Sequence, residues 1–282
     1  MKKLIPQFFK ILSVISPVLA AQLALKIFMH PRRKKRSDEE MQFLLTGKQV
    51  TFDSQRNARV WGQGPVIWLI HGWESRGSTF FKLIPLLLEK GYQVIAWDGP
   101  AHGDSSGNSS HVAKNAHALA EDMKQGLFKQ PIAILGHSFG GATLAVLNKV
   151  IVMPHKVIIC SAPTRIKNVF SNFAKMIKLG EKAKEKFFEL AEAGSEYSLA
   201  GISLVNNDFS ESHDVLIIHD EEDTVIPFSD FLALKETWKS GQFIATKKLG
   251  HRLTIKDPDM LKTIVEFIGS QKSYHRHLQD QG

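Results

Sequence analysis

The chain has 282 residues, 43% hydrophobic and 23% charged, which suits one large soluble α/β domain or two small ones. The net charge of +8 sits at the front: residues 1–40 carry nine Lys/Arg against three Asp/Glu, and the body is nearly neutral. A nucleic-acid interface needs a basic stripe with interleaved aromatics across the folded domain; none is present, and the single cysteine, Cys160, excludes an internal disulfide and fits a reducing compartment.

Residues 4–29 are strongly apolar, with Lys2-Lys3 before them and Arg32-Arg33-Lys34-Lys35-Arg36 after. Four readings compete. A membrane span needs about 20 apolar residues, and only fifteen lie between Lys10 and Lys26, with Pro17 inside. A secretory signal would end at Val18-Leu19-Ala20, but the apolar periodicity runs through that point and basic residues soon follow. The third reading is an amphipathic helix starting at Ser16-Pro17 and docking Leu19, Leu23 and Ile27 with Val18, Leu25 and Phe28 on the body. The fourth lays that helix on an anionic membrane surface, with the basic cluster near the headgroups. The docked helix is favoured, with residues 1–36 as a candidate peripheral membrane contact. The expected location is the cytoplasm, with association to the inner membrane through this segment as a candidate.

Residues 1–44 therefore read as a helical N-terminal segment, 45–270 as the main domain and 271–282 as a polar tail. The domain opens with short extended segments at 48–52 and 58–61, then alternates. Strands are predicted at 66–70, 93–97, 132–135, 156–160, 215–219 and 243–249. Helices are predicted at 79–90, 112–128, 140–151, 229–239 and 257–268. Repeated strand–helix units give a mostly parallel, eight-stranded sheet covered on both faces. About residues 164–212 the alternation breaks into helical pattern without a strand, a short helical lid insertion in which Phe170 and Phe173 share a face.

The motifs fall where strands end, the place where open α/β sheets bind ligands. Gly136-His137-Ser138-Phe139-Gly140 reads G-x-S-x-G between a strand and a helix, a nucleophile elbow carrying Ser138. His71-Gly72-Trp73 follows another strand; the Trp73 and Phe139 amides are candidate oxyanion donors, and the Trp73 side chain a candidate lining group. His71 is expected to shape its loop, and His137 to point away and pack. His111, His117 and His155 read as solvated. Asp98-Gly99-Pro100-Ala101-His102-Gly103 reads as a structural loop, and no metal is assigned to Asp98, His102 and Asp104 for want of a second ligand cluster. The acidic loop after 215–219 supplies Asp223, with Asp220 as fallback, to orient an imidazole; Gly250-His251 follows the strand at 243–249.

The order Ser138, Asp223, His251, together with HGW at 71–73, DGPAHGDSSG at 98–107, GHSFGG at 136–141, HDEEDTVIP at 219–227 and LGH at 249–251, resembles the α/β-hydrolases of the esterase/lipase group over roughly residues 45–268. The resemblance implies an α/β-hydrolase fold and a Ser138–His251–Asp223 triad. It implies a small acyl ester or thioester as substrate, an acyl-enzyme intermediate and no cofactor. Trp73, Phe170 and Phe173 are its candidate substrate contacts. Serine-triad thioesterase, C–C hydrolase and cofactor-free haloperoxidase activities belong to the same fold. A non-catalytic ligand-binding or scaffold protein is the contrasting class, and the presence of all three triad residues argues against it. Neither the oligomeric state nor the acyl group is encoded in these motifs.

Overall fold

Short runs of β-branched and aliphatic residues become strands buried on both sides, and the computed structural model, which describes residues 4–270, assembles eight of them into one sheet. They are β1 (Lys48–Thr51), β2 (Asn57–Trp61), β3 (Val66–Ile70), β4 (Gln93–Asp98), β5 (Pro131–His137), β6 (Lys156–Cys160), β7 (Asp214–Asp220) and β8 (Gln242–Thr246), in the order β1-β2-β4-β3-β5-β6-β7-β8. β1 and β2 pair antiparallel, β2 joins β4 antiparallel, and β3 through β8 run parallel.

Helices cover both faces. In chain order they are α1 (Leu4–Ile15), α2 (Pro17–Phe28), α3 (Asp38–Leu45), α4 (Leu83–Glu89), α5 (Val112–Lys124), α6 (Phe139–Val150), α7 (Ile166–Met176), α8 (Glu181–Ala193), α9 (Phe228–Thr237), α10 (Gly250–Leu253) and α11 (Pro258–Gly269). One face of the sheet, through Ile67, Leu69, Val94, Leu135, Ile158 and Leu216, packs on α4 and α11. The opposite face, through Trp68, Ile70, Trp97, Ile134, Ile159 and Ile217, packs on α5, α6 and α9. Successive residues alternate between the two cores because side chains on a strand point to opposite faces.

Element ends differ from the sequence expectation where turn chemistry intervenes. The helix predicted over 79–90 is a 3₁₀ turn, Gly77–Phe80, followed by α4, because Pro85 is tolerated only in a first turn. The strand predicted to reach 249 ends at Thr246, and Lys248 adopts φ 64° as the chain turns toward α10. Between β6 and β7 lie α7, α8 and a short 3₁₀ turn, Leu204–Asn206. The polar tail expected from residue 271 lies outside the described residues.

The N-terminal segment folds against this body. Ser16 caps α2 and Pro17 occupies its first turn, as the sequence implied. Leu23, Leu25 and Phe28 pack against the core as expected, but the fully buried side of α2 is Ala20, Ala21 and Ala24, in contact with α8, whose own buried residues are Ala183, Phe187 and Ala191, while Val18, Leu19 and Ile27 stay about half exposed. Small side chains let the two helix axes approach closely; Phe28 then inserts among Phe170, Phe173 and Phe187, with ring centroids 4.4, 4.9 and 6.0 Å away. Four residues of the basic cluster also contact the body, while Arg32 and Lys35 remain exposed to solvent. Arg32 and Lys34 pair with Glu74, Arg36 pairs with Asp104, and Arg33 donates to the Gly103 and Ser105 carbonyls. Arg76 returns the clasp by donating to Glu40 and to the Lys34 and Lys35 carbonyls. No helix among the described residues is long and apolar enough to cross a membrane.

Candidate active site

The strand order reverses beside β3: the chain crosses to β4 on one side and then to β5 on the other. A crevice opens at the carboxyl ends of strands where this happens, and the loops after β3 and β5 meet there. Ser138 sits between β5 and α6 with φ 55° and ψ −119°, a conformation that costs a non-glycine residue about 1–3 kcal/mol. The turn is held by the Ser138 amide donating to the Cys160 carbonyl at 2.8 Å. Its tightness also depends on Gly140, where a β-carbon would collide with the carbonyls of Ile70 and His71. At Gly72 a β-carbon would stand 3.1 Å from that of Ser138, so the loop after β3 lies directly against the elbow.

His251 comes from α10, across the sheet. Its Nε2 is 3.0 Å from Ser138 Oγ, and its Nδ1 is 2.7 Å from Asp223 Oδ2. Asp223 Oδ1 accepts the Val225 and Ile226 amides at 2.8 and 2.9 Å. Burial pushes the Asp223 carboxyl up, but the hydrogen bonds from His251, Ile226 and Val225 outweigh it and hold it below the usual carboxylate range. An ionised Asp223 fixes the proton on Nδ1, which leaves the Nε2 lone pair facing the serine hydroxyl. A serine placed this way can be deprotonated as it attacks a carbonyl, and the first-turn amides of α6, Phe139 among them, have no intrahelical acceptor.

The Alpha/beta hydrolase family, compared as a whole, matches residues 69–261, which include all three of these residues. The chain belongs to the alpha/beta hydrolase family. Among curated relatives of this chain, a human serine hydrolase-like protein is 39% identical over 89 residues, covering 30% of this chain and 43% of its own length. A lysophosphatidylserine lipase from Danio rerio is 28% identical over 224 residues, covering 72% of this chain and 58% of its own. The chain therefore spans less than two thirds of the length of these relatives. A solved esterase from Exiguobacterium antarcticum superposes with a TM-score of 0.59 at 20% identity, over 79% of this chain and 100% of that one, a likeness of fold.

Asp220, expected as a fallback, His137, expected to pack, and His219, which had no assigned role, hold the arrangement together. Asp220 is not the partner of His251. Its Oδ2 accepts Thr246 Oγ1 and the Leu249 amide at 2.8 and 3.0 Å, and its Oδ1 accepts the Glu222 amide, so it ties the loop carrying Asp223 to the loop carrying His251. His137 packs as expected, but its Nε2 also lies 2.9 Å from the His251 carbonyl, to which it donates. Burial, and then the neighbouring His251, bring the His137 pKa down to about 4, so it is a neutral donor. His219 donates to the Ile226 carbonyl at 3.0 Å, bracing the turn that presents amides to Asp223. The only sequence signal for these roles was their position beside motif residues.

The DGPAHGD segment is a structural loop. Asp98 accepts the Gly77 and Asp104 amides at 2.6 and 2.8 Å, and burial raises its carboxyl to about 6. His71 accepts the Gly99 amide at Nε2 and donates from Nδ1 to the Gly72 carbonyl, linking the loops after β3 and β4.

Ser138 opens onto a cavity of about 280 Å³. Its walls are largely apolar: Trp73 and Phe139 near the serine, Ile166, Val169 and Phe170 from α7, Ala191, Leu199 and Ile202 beyond, and Phe28 and Met29 from the N-terminal segment. Phe173 is not among the lining residues; it packs behind Phe28. His111, expected to be solvated, lines the cavity as the cap of α5, and burial lowers its pKa. Among the described residues no group of three or more His, Cys, Asp or Glu side chains is arranged to hold a metal ion.

Proposed function

We propose that the protein cleaves carboxylic esters or thioesters of apolar acyl groups, with Ser138 as nucleophile, His251 as general base and acid, and Asp223 orienting the imidazole. One observation carries this reading: Ser138, His251 and Asp223 are joined by contacts of 3.0 and 2.7 Å where the serine meets an apolar cavity. In the first step Ser138 Oγ bonds to the carbonyl carbon as His251 Nε2 takes its proton. The Trp73 and Phe139 amides stabilise the oxyanion. The tetrahedral species collapses, the bond to the leaving oxygen or sulfur breaks, and His251 returns the proton to it. Water, deprotonated by the same imidazole, then releases the acid and restores Ser138.

The cavity lies at the lower end of the size range of small-molecule sites, which suits a single acyl chain against Trp73 and Phe170. The name of the Danio rerio relative points to a lysophospholipid substrate, which is compatible with one chain. The test is hydrolysis of p-nitrophenyl esters and acyl-thioesters of graded chain length by the wild type and Ser138→Ala. The wild type is expected to hydrolyse them and to be labelled by a fluorophosphonate at Ser138. The variant is expected to fold, resist labelling and lose turnover. A variant as active as wild type would refute the assignment, and an unlabelled, inactive wild type would favour a binding protein.

A further inference from the structure

α1 is docked by one narrow side. Phe9 is 1% exposed and Ser13 is 8% exposed, with Ser13 Oγ accepting the Gly180 amide at 3.0 Å. On the opposite side Leu4, Phe8, Ile11 and Ile15 recur at i, i+4, i+7 and i+11, the spacing of one helix face. All four are exposed by half or more, and Ile5 and Val14 flank them at 50% and 83% exposed. Past the Ser16-Pro17 corner the apolar surface continues into Val18 and Leu19. A contiguous exposed patch of this kind marks an interaction surface.

We propose that this face of α1 lies on an anionic lipid surface. Charge selects the occupant. The first acidic residue of the chain is Asp38; before it stand nine Lys/Arg, among them Lys2 and Lys3 just ahead of the helix. Lys10, on the side of α1 between the docked face and the stripe, is exposed. Arg32, Arg33, Lys34 and Arg36 also contact the body, so the cationic residues assigned to the lipid are the earlier lysines, which adjoin α1 in the sequence. Length fixes the mode. The 12 residues of α1 extend about 18 Å, against a hydrocarbon core of about 30 Å, so the helix lies in the interface and does not cross. The adjoining helix α2 ends in Phe28, which with Met29 forms part of the cavity wall. The lipid-facing surface and the cavity thus share one two-helix element.

The experiment is co-sedimentation of the full chain with phosphatidylcholine vesicles and with vesicles that also contain phosphatidylglycerol, at low and high salt. The variants are Ile11→Glu/Ile15→Glu and Phe8→Glu. These side chains point to solvent, so circular dichroism and the thermal midpoint should match wild type. Wild type is expected to bind the anionic vesicles, less so at high salt, and each variant to lose about tenfold or more of that binding. Equal binding to neutral vesicles would overturn the anionic assignment. No vesicle binding, or binding indifferent to the variants, would overturn the proposal. So would a wild-type dimer that the variants convert to monomer without any vesicle binding, which would make the face a contact between copies.

Discussion

Asp223→Asn is the substitution whose outcome the geometry dictates most narrowly. The carboxylate has two distinct sides: Oδ1 faces the Val225 and Ile226 amides, and Oδ2 faces His251 Nδ1. An asparagine must keep its carbonyl oxygen toward the two amides, since its NH₂ there would oppose two donors. The NH₂ then faces Nδ1 and can only donate, which makes Nδ1 an acceptor and moves the ring proton to Nε2. That nitrogen is 3.0 Å from Ser138 Oγ and no longer has a lone pair for the serine proton. A tautomer trapped in this way costs about 10⁴ in kcat, or about 5.5 kcal/mol of barrier, with the fold retained because the amide contacts survive. The assay is kcat on a p-nitrophenyl ester beside a thermal melt. Asp220→Asn is the control: its carboxylate accepts only from donors that tie two loops, so it should lower stability as well as rate. An Asp223→Asn enzyme within about tenfold of wild type would refute the reasoning.

Two further outcomes follow from the contacts around the site and the N-terminal clasp. His137→Leu removes the donor to the His251 carbonyl at 2.9 Å; a lost buried hydrogen bond of about 1–3 kcal/mol should appear as a fall of about tenfold or more in kcat with KM little changed, and an unchanged kcat would remove His137 from any positioning role. Arg76→Ala strands Glu40, whose side chain is only 9% exposed, and should destabilise the fold by about 3–5 kcal/mol in denaturant at pH 7. Burial raises the Glu40 carboxyl, but the Arg76 and Ser78 hydrogen bonds lower it further, so its net shift is downward. A depressed carboxylate contributes stability above its unfolded pKa of about 4.3 and loses it as pH falls through the folded value. The difference between wild type and Arg76→Ala should therefore shrink below about pH 4, and a gap independent of pH would contradict the ion pair.

Much of the fold was legible because it depends on local pattern. Val66–Ile70 and Lys156–Cys160 are apolar runs too short for helices, and the structure places strands at those residues. Gly-x-Ser-x-Gly is legible because the turn leaves no room for β-carbons. What escaped depends on partners remote in sequence. The contact of His137 with the His251 carbonyl spans 114 residues and leaves no periodic trace. Hydrophobicity pointed to Leu19 and Ile27 as the docked face of α2, whereas close approach to α8 selects alanines, whose small size matters more than their apolarity. The run at 32–36 looked like a free cationic patch because Glu74 and Asp104, which pair with Arg32, Lys34 and Arg36, lie some 40 and 70 residues further on.

The packing of Phe28 sets an order for events during synthesis. Phe28 is covered by Phe170 and Phe187, and Phe187 lies 159 residues later in the chain. At about 5–20 residues per second, translation delivers that cover roughly 8–30 s after Phe28 itself has been made. Throughout that interval the α8 side of the alanine face of α2 is uncovered, and Phe28 can meet only its earlier partners, Trp73 first and then Phe170 and Phe173. α2 thus precedes by more than 150 residues the helix that completes its packing. Until α8 is made, the apolar side chains that it will cover are surface of the kind that favours aggregation of a nascent chain.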